Sequence, residues 1–293
     1  MAISPTPSVV TLPRAESRYV SILDFLSATF AHVPRELWER RMREGKVLDD
    51  AGCAIAPETA FVSGKRIHYF REVENEPVVP FAEEILFQDD ELLVACKPHF
   101  LPVTPGGRFV NECLLNRLRR RTGIADLAPL HRLDRETAGI VVFSVNRETR
   151  GRYHDLFMHG QVDKTYCALA ELREPPREKT WIVENRIVRS EPRFRMTTVP
   201  GAPNARSRIH FEGMDGAYGR FRLHPETGKT HQLRLHMSSL GFGILNDRVY
   251  PELQPQRDDD YARPLQLLAA RLHFRDPVAG MTRDFVSART LGG

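Results

Sequence analysis

Cysteine is scarce: the chain has four in 293 residues, Cys53, Cys96, Cys113 and Cys167. They are widely scattered, and no two are close enough to form a paired zinc-ligand signature. The pattern therefore reads as free thiols in a reducing compartment, not as a disulfide scaffold or a zinc module. Long apolar runs are missing too, which excludes a membrane-spanning helix. The first ten residues lack a basic start followed by an apolar stretch, so no secretory signal is read, and a cytoplasmic protein is the expectation. A strong charge of one sign is also absent. The 42 Lys and Arg against 38 Asp and Glu leave a net charge of +4, which permits an anionic partner without requiring one. There is no internal repeat and no glycine-rich phosphate loop. What remains is ordinary globular usage, 41% hydrophobic and 27% charged, at a length that suits about two domains.

Residues 1–17 are rich in Pro, Ser and Thr and read as a loose tail. Residues 18–73 read as a compact unit. Ile22, Leu23, Leu26 and Phe30 recur at helical spacing, and a second helix opens at Pro34 and stops at Gly45, carrying Arg35, Arg40, Arg41 and Arg43. Short β-like pieces follow at Val47–Leu48 and Arg66–Phe70. The two prolines in residues 74–80 mark a linker. Residues 81–293 form the larger unit. Strands are expected at Ile85–Phe87, Leu92–Cys96, Gly139–Ser144, Val162–Ala170 and Ala217–His224, with helices at Arg147–His159 and Thr230–Leu240. Strands and helices mix without a regular alternation, so the expected fold class is α+β. Residues 171–206 give no secure pattern.

Three segments carry chemistry. In the first, His131-Arg132-Leu133-Asp134-Arg135-Glu136-Thr137-Ala138-Gly139, a carboxylate sits between two arginines just before an apolar strand. Loops at strand ends are favoured places for reacting groups, and the flanking positive charge suits an ionised carboxylate and contact with phosphate. The alternative is a surface Asp in an ordinary salt-bridge loop. In the second, Asp163-Lys164-Thr165-Tyr166-Cys167, strand alternation puts Lys164 and Tyr166 on one face. A ring beside a cation can stack on a nucleobase, although a half-buried Tyr with a snorkelling Lys reads the same way. In the third, His224-Pro225-Glu226-Thr227-Gly228-Lys229-Thr230-His231-Gln232-Leu233-Arg234, a turn places Lys229 at the mouth of a helix, a natural anion site. His231 and His236 fit no usual zinc spacing. The basic run Arg117, Arg119, Arg120 and Arg121 reads either as a phosphate-contacting surface or as a solvated helix face.

Together these segments resemble the motifs of the RluA-type pseudouridine synthases. His131-Arg132-Leu133-Asp134 resembles the catalytic motif, and Lys164-Thr165-Tyr166 the family's Lys-x-Tyr strand. The segment from His224 to Arg234 resembles the third motif, and Lys97-Pro98 through Gly106-Gly107 a degraded first motif. The resemblance spans about residues 80–290, in order. Residues 18–73 resemble an S4-like RNA-binding domain. Departures are Ala138 where the family usually has Ser, Lys229 where many relatives carry Arg, and Phe100 in place of a Gly.

The resemblance implies a catalytic domain built on a mixed, mainly antiparallel sheet, behind a small α/β RNA-binding unit. It implies isomerisation of uridine to pseudouridine in structured RNA, with ribosomal RNA ahead of transfer RNA, after the base has been flipped from its stack. Asp134 is then the catalytic carboxylate, attacking C1′ or removing the C2′ proton. Lys229 pairs with it, and Tyr166 stacks on the uracil and assists with the C5 proton. Leu233 packs near the base. Arg132 fills the vacated space or grips the backbone, and His131, Lys164 and Arg135 complete the RNA-contacting set. No metal or cofactor, no membrane and no obligate protein partner is implied, and a monomer is the default. Two other readings stand beside this one: an RNA-binding protein that keeps the fold without catalysis, and a phosphate-directed hydrolase using Asp134 and histidines.

Overall fold

The structure is a computed structural model that describes residues 2–14, 19–192, 194–255 and 257–292. The chain divides into two units, Met1–Pro77 with Pro105–Asn111, and Val78–Thr104 with Glu112–Gly293. Among the described residues, no helix is long and apolar enough to cross a membrane.

The smaller unit contains strands β1 (Ala2–Ile3), β2 (Ser8–Thr11), β3 (Val47–Leu48), β4 (Arg66–Tyr69) and β5 (Glu72–Val73), and helices α1 (Ile22–Thr29) and α2 (Arg35–Arg43). Helix α1 starts where Ser21 and Asp24 cap each other's backbone N–H groups, each satisfying a donor that the first turn leaves orphaned. Strands β2, β4 and β3 form one sheet, and β1 pairs with β5. Leu12, Ile22, Leu26, Trp38, Val47 and Ile67 fill the core.

Two expectations are corrected here. Residues 8–12 are not a loose tail, because Ser8–Thr11 pairs antiparallel with β4 and Leu12 is fully buried. Their period-2 alternation of Val10 and Leu12 against Val9 and Thr11 is a strand pattern that the Pro and Ser content around it obscures. Residues 15–18 of that stretch lie outside the described residues. The second correction concerns the boundary, which is not a single cut. Residues 105–111 cluster with the smaller unit, where Glu76 accepts from the Val110 and Asn111 amides.

The larger unit is built on an eleven-stranded mixed sheet. Its strands are β6 (Glu84–Gln88), β7 (Leu92–Lys97), β8 (Ala128–Pro129), β9 (Ala138–Ser144), β10 (Val162–Glu171), β11 (Thr180–Arg189), β12 (Met196–Val199), β13 (Ala205–Asp215), β14 (Tyr218–Pro225), β15 (Leu267–Arg275) and β16 (Thr282–Val286). The order is β12-β11-β13-β14-β10-β15-β9-β7-β6, with β16 on β15 and β8 on β9. The β9–β15 pair is parallel, and the other ladders are antiparallel. The helices are α3 (Leu114–Thr122), α4 (Arg150–Met158) and α5 (Gln232–Ser239).

β7 and β9 are buried along their whole length, as their unbroken apolar runs require. One core cluster gathers Leu92, Val94, Val142, Tyr153 and Phe274, and another gathers Ile209, Phe221, Leu223, Leu233 and Met237 on β13, β14 and α5. The stretch 171–206, left unassigned in the sequence, supplies β11, β12 and the start of β13. The arginine run lies on α3, but Arg117 is not free to meet phosphate. It is nearly buried, with its guanidinium paired to Glu83 and Glu112 and bonded to the Phe81 and Val79 carbonyls.

Gly139 fixes where the Asp134 segment enters the sheet. It sits at φ +117°, opposite Ala269 on the parallel β15, and a Cβ there would lie 2.2 Å from the Ala269 carbonyl oxygen. The obstacle is backbone at the centre of a sheet, which cannot yield as a flexible side chain would. Gly139→Ala is therefore expected to cost about 3 kcal/mol or more, combining overpacking with left-handed strain. Urea unfolding reads this directly, and a midpoint near that of wild type would contradict it.

Candidate active site

The segment between β8 and β9 carries Asp134, and the chain beneath it holds that loop by its carbonyls. Lys97, at the end of β7, is fully buried and donates to the carbonyls of Pro98, Leu101 and Arg135 at 3.0, 2.7 and 3.0 Å. Burial pushes its pKa down to about 7, against the opposing pull of Glu136 and Asp134. His99 Nδ1 donates to the Glu136 carbonyl at 2.6 Å. Phe100, the departure from glycine, does take a left-handed backbone, φ +65°, and its buried ring packs edge-on to Tyr261 at 5.1 Å. Ring burial offsets the strain that a glycine would avoid.

Two side chains of this loop do other work than the sequence suggests. The His131 ring is turned into the fold. Its Nε2 accepts from the Val142 amide at 3.1 Å, and its ring stacks on Phe157 at 4.7 Å. Burial, followed by the nearby Lys164 charge, pushes its pKa down to about 3, so it is a neutral strut behind the loop. Arg135 is spent inside the fold, bidentate to Asp259 at 2.7 and 2.9 Å and bonded to Glu136. Arg132, by contrast, is exposed and lines the cleft.

That cleft has a volume of about 100 Å³ and opens to solvent. Arg132, Leu133, Asp134 and Thr137 form one wall, and Lys164 and Tyr166 of β10 form the next. A bulge against β15 falls between Thr165 and Tyr166, and both Lys164 and Tyr166 still face the cleft. Burial, and after it the Asp134 charge, pushes the Tyr166 phenol pKa well up, so the hydroxyl keeps its proton. Burial pushes the Lys164 ammonium down.

The turn from β14 into α5 makes the third wall. Buried Gln232 organises it: its Oε1 accepts from the Thr227 hydroxyl at 2.7 Å and the Lys229 amide at 3.0 Å, while its Nε2 donates to the Arg206 carbonyl and the Ser207 hydroxyl. Leu233 is buried and lines the cleft.

The expected Lys229–Asp134 pair is not formed. Lys229 is exposed at the cleft rim. Among the described residues, the cation near Asp134 Oδ2 is Arg234, with Nη1 at 3.6 Å, and the His231 imidazole Nε2 lies at 3.9 Å. Arg234 is 2% exposed and locked by a bidentate bond to buried Asp247, at 2.7 Å twice. The reason lies in helix geometry. Lys229 precedes α5 and points out with the turn, whereas Arg234 lies within its first turn, on the side that meets the loop. Arg234 stands inside the quoted motif, beyond the residue nearer the glycine turn. Lys97, His231 and Gln232 also stand in quoted segments. Asp247, Tyr250 and Asp259 lie in a stretch with no pattern to mark them.

Residues 91–239 match the family model for RNA pseudouridylate synthase, and the whole cleft lies inside that span except for Leu267. The chain is 27% identical over 232 residues to an uncharacterized RNA pseudouridine synthase of Synechocystis, covering 78% of this chain and 79% of that protein. It is 26% identical over 281 residues to the ribosomal large subunit pseudouridine synthase D of Vibrio vulnificus, covering 89% of this chain and 84% of that one. Several other relatives are longer proteins, of which the chain spans about half. Among solved structures, human RNA pseudouridylate synthase domain containing 1 superposes with a TM-score of 0.60 at 22% identity, over 73% of this chain and 86% of that one, a likeness of fold.

Proposed function

The chain belongs to the RNA pseudouridylate synthase family and is an RNA-uridine isomerase, and from that premise we propose that Asp134 is its catalytic carboxylate and ribosomal RNA its substrate. The observation that carries the site is the Asp134 carboxylate facing Tyr166 across one cleft, beside a locked Arg234.

Isomerisation breaks the N1–C1′ bond and makes a C5–C1′ bond without net oxidation. Asp134 acts at the ribose, as nucleophile at C1′ or as base at C2′. Arg234, immobile because Asp247 holds its fork, orients that carboxylate. Tyr166, kept as a neutral phenol, offers its face to the uracil, and Leu233 closes the apolar side. Reaching the cleft requires the uridine to leave its stack, at a cost of a few kcal/mol. Exposed Arg132 and Lys229 at the rim are placed to meet the phosphates on either side.

These two rim cations give a measurable expectation. Each of Arg132→Ala and Lys229→Ala lowers the slope of log affinity against log salt by about 0.7–0.9, the value of one phosphate contact. Filter binding from low to moderate salt measures it, and an unaltered slope in both variants removes them from the RNA interface.

The smaller unit is assigned the role of an S4-like RNA contact. Its own ion pairs narrow the surface that does this. Arg41 and Lys46 are tied to Glu72, Arg35 to Asp24 and Arg43 to Glu39, while Arg40 and Lys65 are exposed. Hydrogen release from RNA tritiated at uridine C5 tests the substrate: release from ribosomal RNA and not from transfer RNA is expected, and the reverse would move the assignment to transfer RNA.

A further inference from the structure

Pseudouridine formation needs a proton acceptor that the ribose chemistry does not supply. Once the new C5–C1′ bond exists, C5 is tetrahedral and still carries its hydrogen. That hydrogen lies next to C1′, so the base that removes it must stand close to Asp134. Tyr166 is a poor candidate, because its phenol holds its own proton. Arg132 and Arg234 are donors only, and Asp134, freed as that bond forms, is held beside Arg234 at 3.6 Å.

Resting on the isomerase reading above, we propose that His231 is the base that takes the C5 proton, and that the Tyr250 hydroxyl sets which ring nitrogen is free to do so. His231 lines the cleft, with Nε2 3.9 Å from Asp134 Oδ2. Its Nδ1 lies 3.0 Å from the Tyr250 hydroxyl. That hydroxyl oxygen accepts from the Met196 amide at 2.8 Å, and the Met196 carbonyl lies 3.2 Å away, ready to accept the hydroxyl hydrogen. With the Tyr250 hydrogen on that carbonyl, the phenol oxygen accepts from His231 Nδ1–H, and the lone pair on Nε2 faces the cleft. When the hydroxyl turns to Nδ1 instead, Nε2 carries the hydrogen and donates towards Asp134. One hydroxyl rotation thus converts His231 between a donor to the carboxylate and a base.

The backbone supports a functional placement. His231 sits at φ +55°, in the left-handed region, at the position capping α5. A non-glycine residue held there is strained, and such strain concentrates at working sites. The charged and titratable groups around the ring are Asp134, Arg234, Asp247, Glu136 and Tyr250. Burial, joined by the Arg234 charge, outweighs Asp134, Asp247 and Glu136 and pushes the imidazole pKa down, which keeps the ring neutral at pH 7.

The step balances as follows. Nε2 takes the C5 hydrogen as a proton, and the C–H electron pair becomes the C5–C6 double bond. The former C6–N1 π pair moves onto N1, which takes a proton from water. His231 then releases its proton to water, so hydrogen from C5 appears in solvent and the enzyme returns to its starting state.

The test is a C5 isotope effect, using RNA transcribed with uridine carrying hydrogen or deuterium at C5. Asparagine tolerates the left-handed backbone, so His231→Asn is the first variant and Tyr250→Phe the second. Turnover by His231→Asn is expected to fall about a hundredfold, the lower end for a lost general base. C5 deprotonation then becomes the slow step, and deuterium slows the variant far more than it slows wild type. Tyr250→Phe shows the same change to a lesser degree. A slower His231→Asn whose rate ignores deuterium would overturn the proposal and leave His231 as a positioning residue for Asp134. Unchanged turnover would also overturn it. Should His231→Asn fail to fold, a folded Tyr250→Phe with no new isotope effect overturns it equally. Failure of the isomerase reading is a different result: wild type itself would then make no pseudouridine.

Discussion

Replacing Asp134 by asparagine is expected to abolish pseudouridine formation, by about 10⁴-fold or more, while leaving RNA affinity within a few-fold of wild type. Loss of a covalent or proton-abstracting group at the centre of a concerted site typically costs this much, because neighbours cannot substitute for it. The structure favours a clean experiment. Asp134 is partly exposed, and the contacts that hold its loop run through backbone carbonyls and not through its own side chain. Asparagine therefore fits without a void. Hydrogen release from uridine C5 measures turnover, and filter binding measures affinity. Loss of turnover with binding retained excludes a protein that only binds RNA. Equal turnover in both proteins would remove Asp134 from the chemistry.

The residues that line this cleft stand mostly in segments the sequence singles out. Asp134, Tyr166 and Leu233, named on three short segments that resemble family motifs, line one cleft. The strands β7, β9 and β10 and the helices α1, α4 and α5 were visible because each buries one run or face. What was not legible depends on contacts between distant segments. The Arg135–Asp259 pair spans 124 residues, and the Arg234–Asp247 pair joins a motif to a stretch with no pattern. Charge alone could not tell Lys229 from Arg234 as the partner of Asp134, since both are cations near one turn. The basic runs misled in the same way. Composition counts an arginine as available for phosphate, yet Arg41, Arg117 and Arg135 are each paired with carboxylates inside the fold. Residues 8–12 are obscured for the opposite reason, because the proline and serine content around them outweighs a short but regular alternation.

Arg234 is expected to matter twice, and the two effects separate. Its side chain is 2% exposed and that of Asp247 is 1%, so Arg234→Ala leaves a buried carboxylate with no counter-charge. Breaking such a pair costs about 3–5 kcal/mol, and the variant should unfold at markedly lower urea. Arg234→Lys is the more informative change. It keeps the charge but loses the planar fork that holds Asp247 with two bonds while a third nitrogen faces Asp134. A lysine can satisfy one carboxylate or the other. The protein should then fold, with part of the stability loss, and turn over about a hundredfold more slowly, because a preorganised partner of the Asp134 carboxylate is gone. Lys229→Ala provides the contrast. It should alter salt-dependent RNA affinity and leave the rate at saturating RNA near wild type, since the exposed ammonium makes no ion pair with Asp134 among the described residues. If Lys229→Ala instead stopped turnover and Arg234→Lys did not, the partner of Asp134 in the working complex would be the cation at the rim, and the turn between β14 and α5 would have to rearrange when RNA binds.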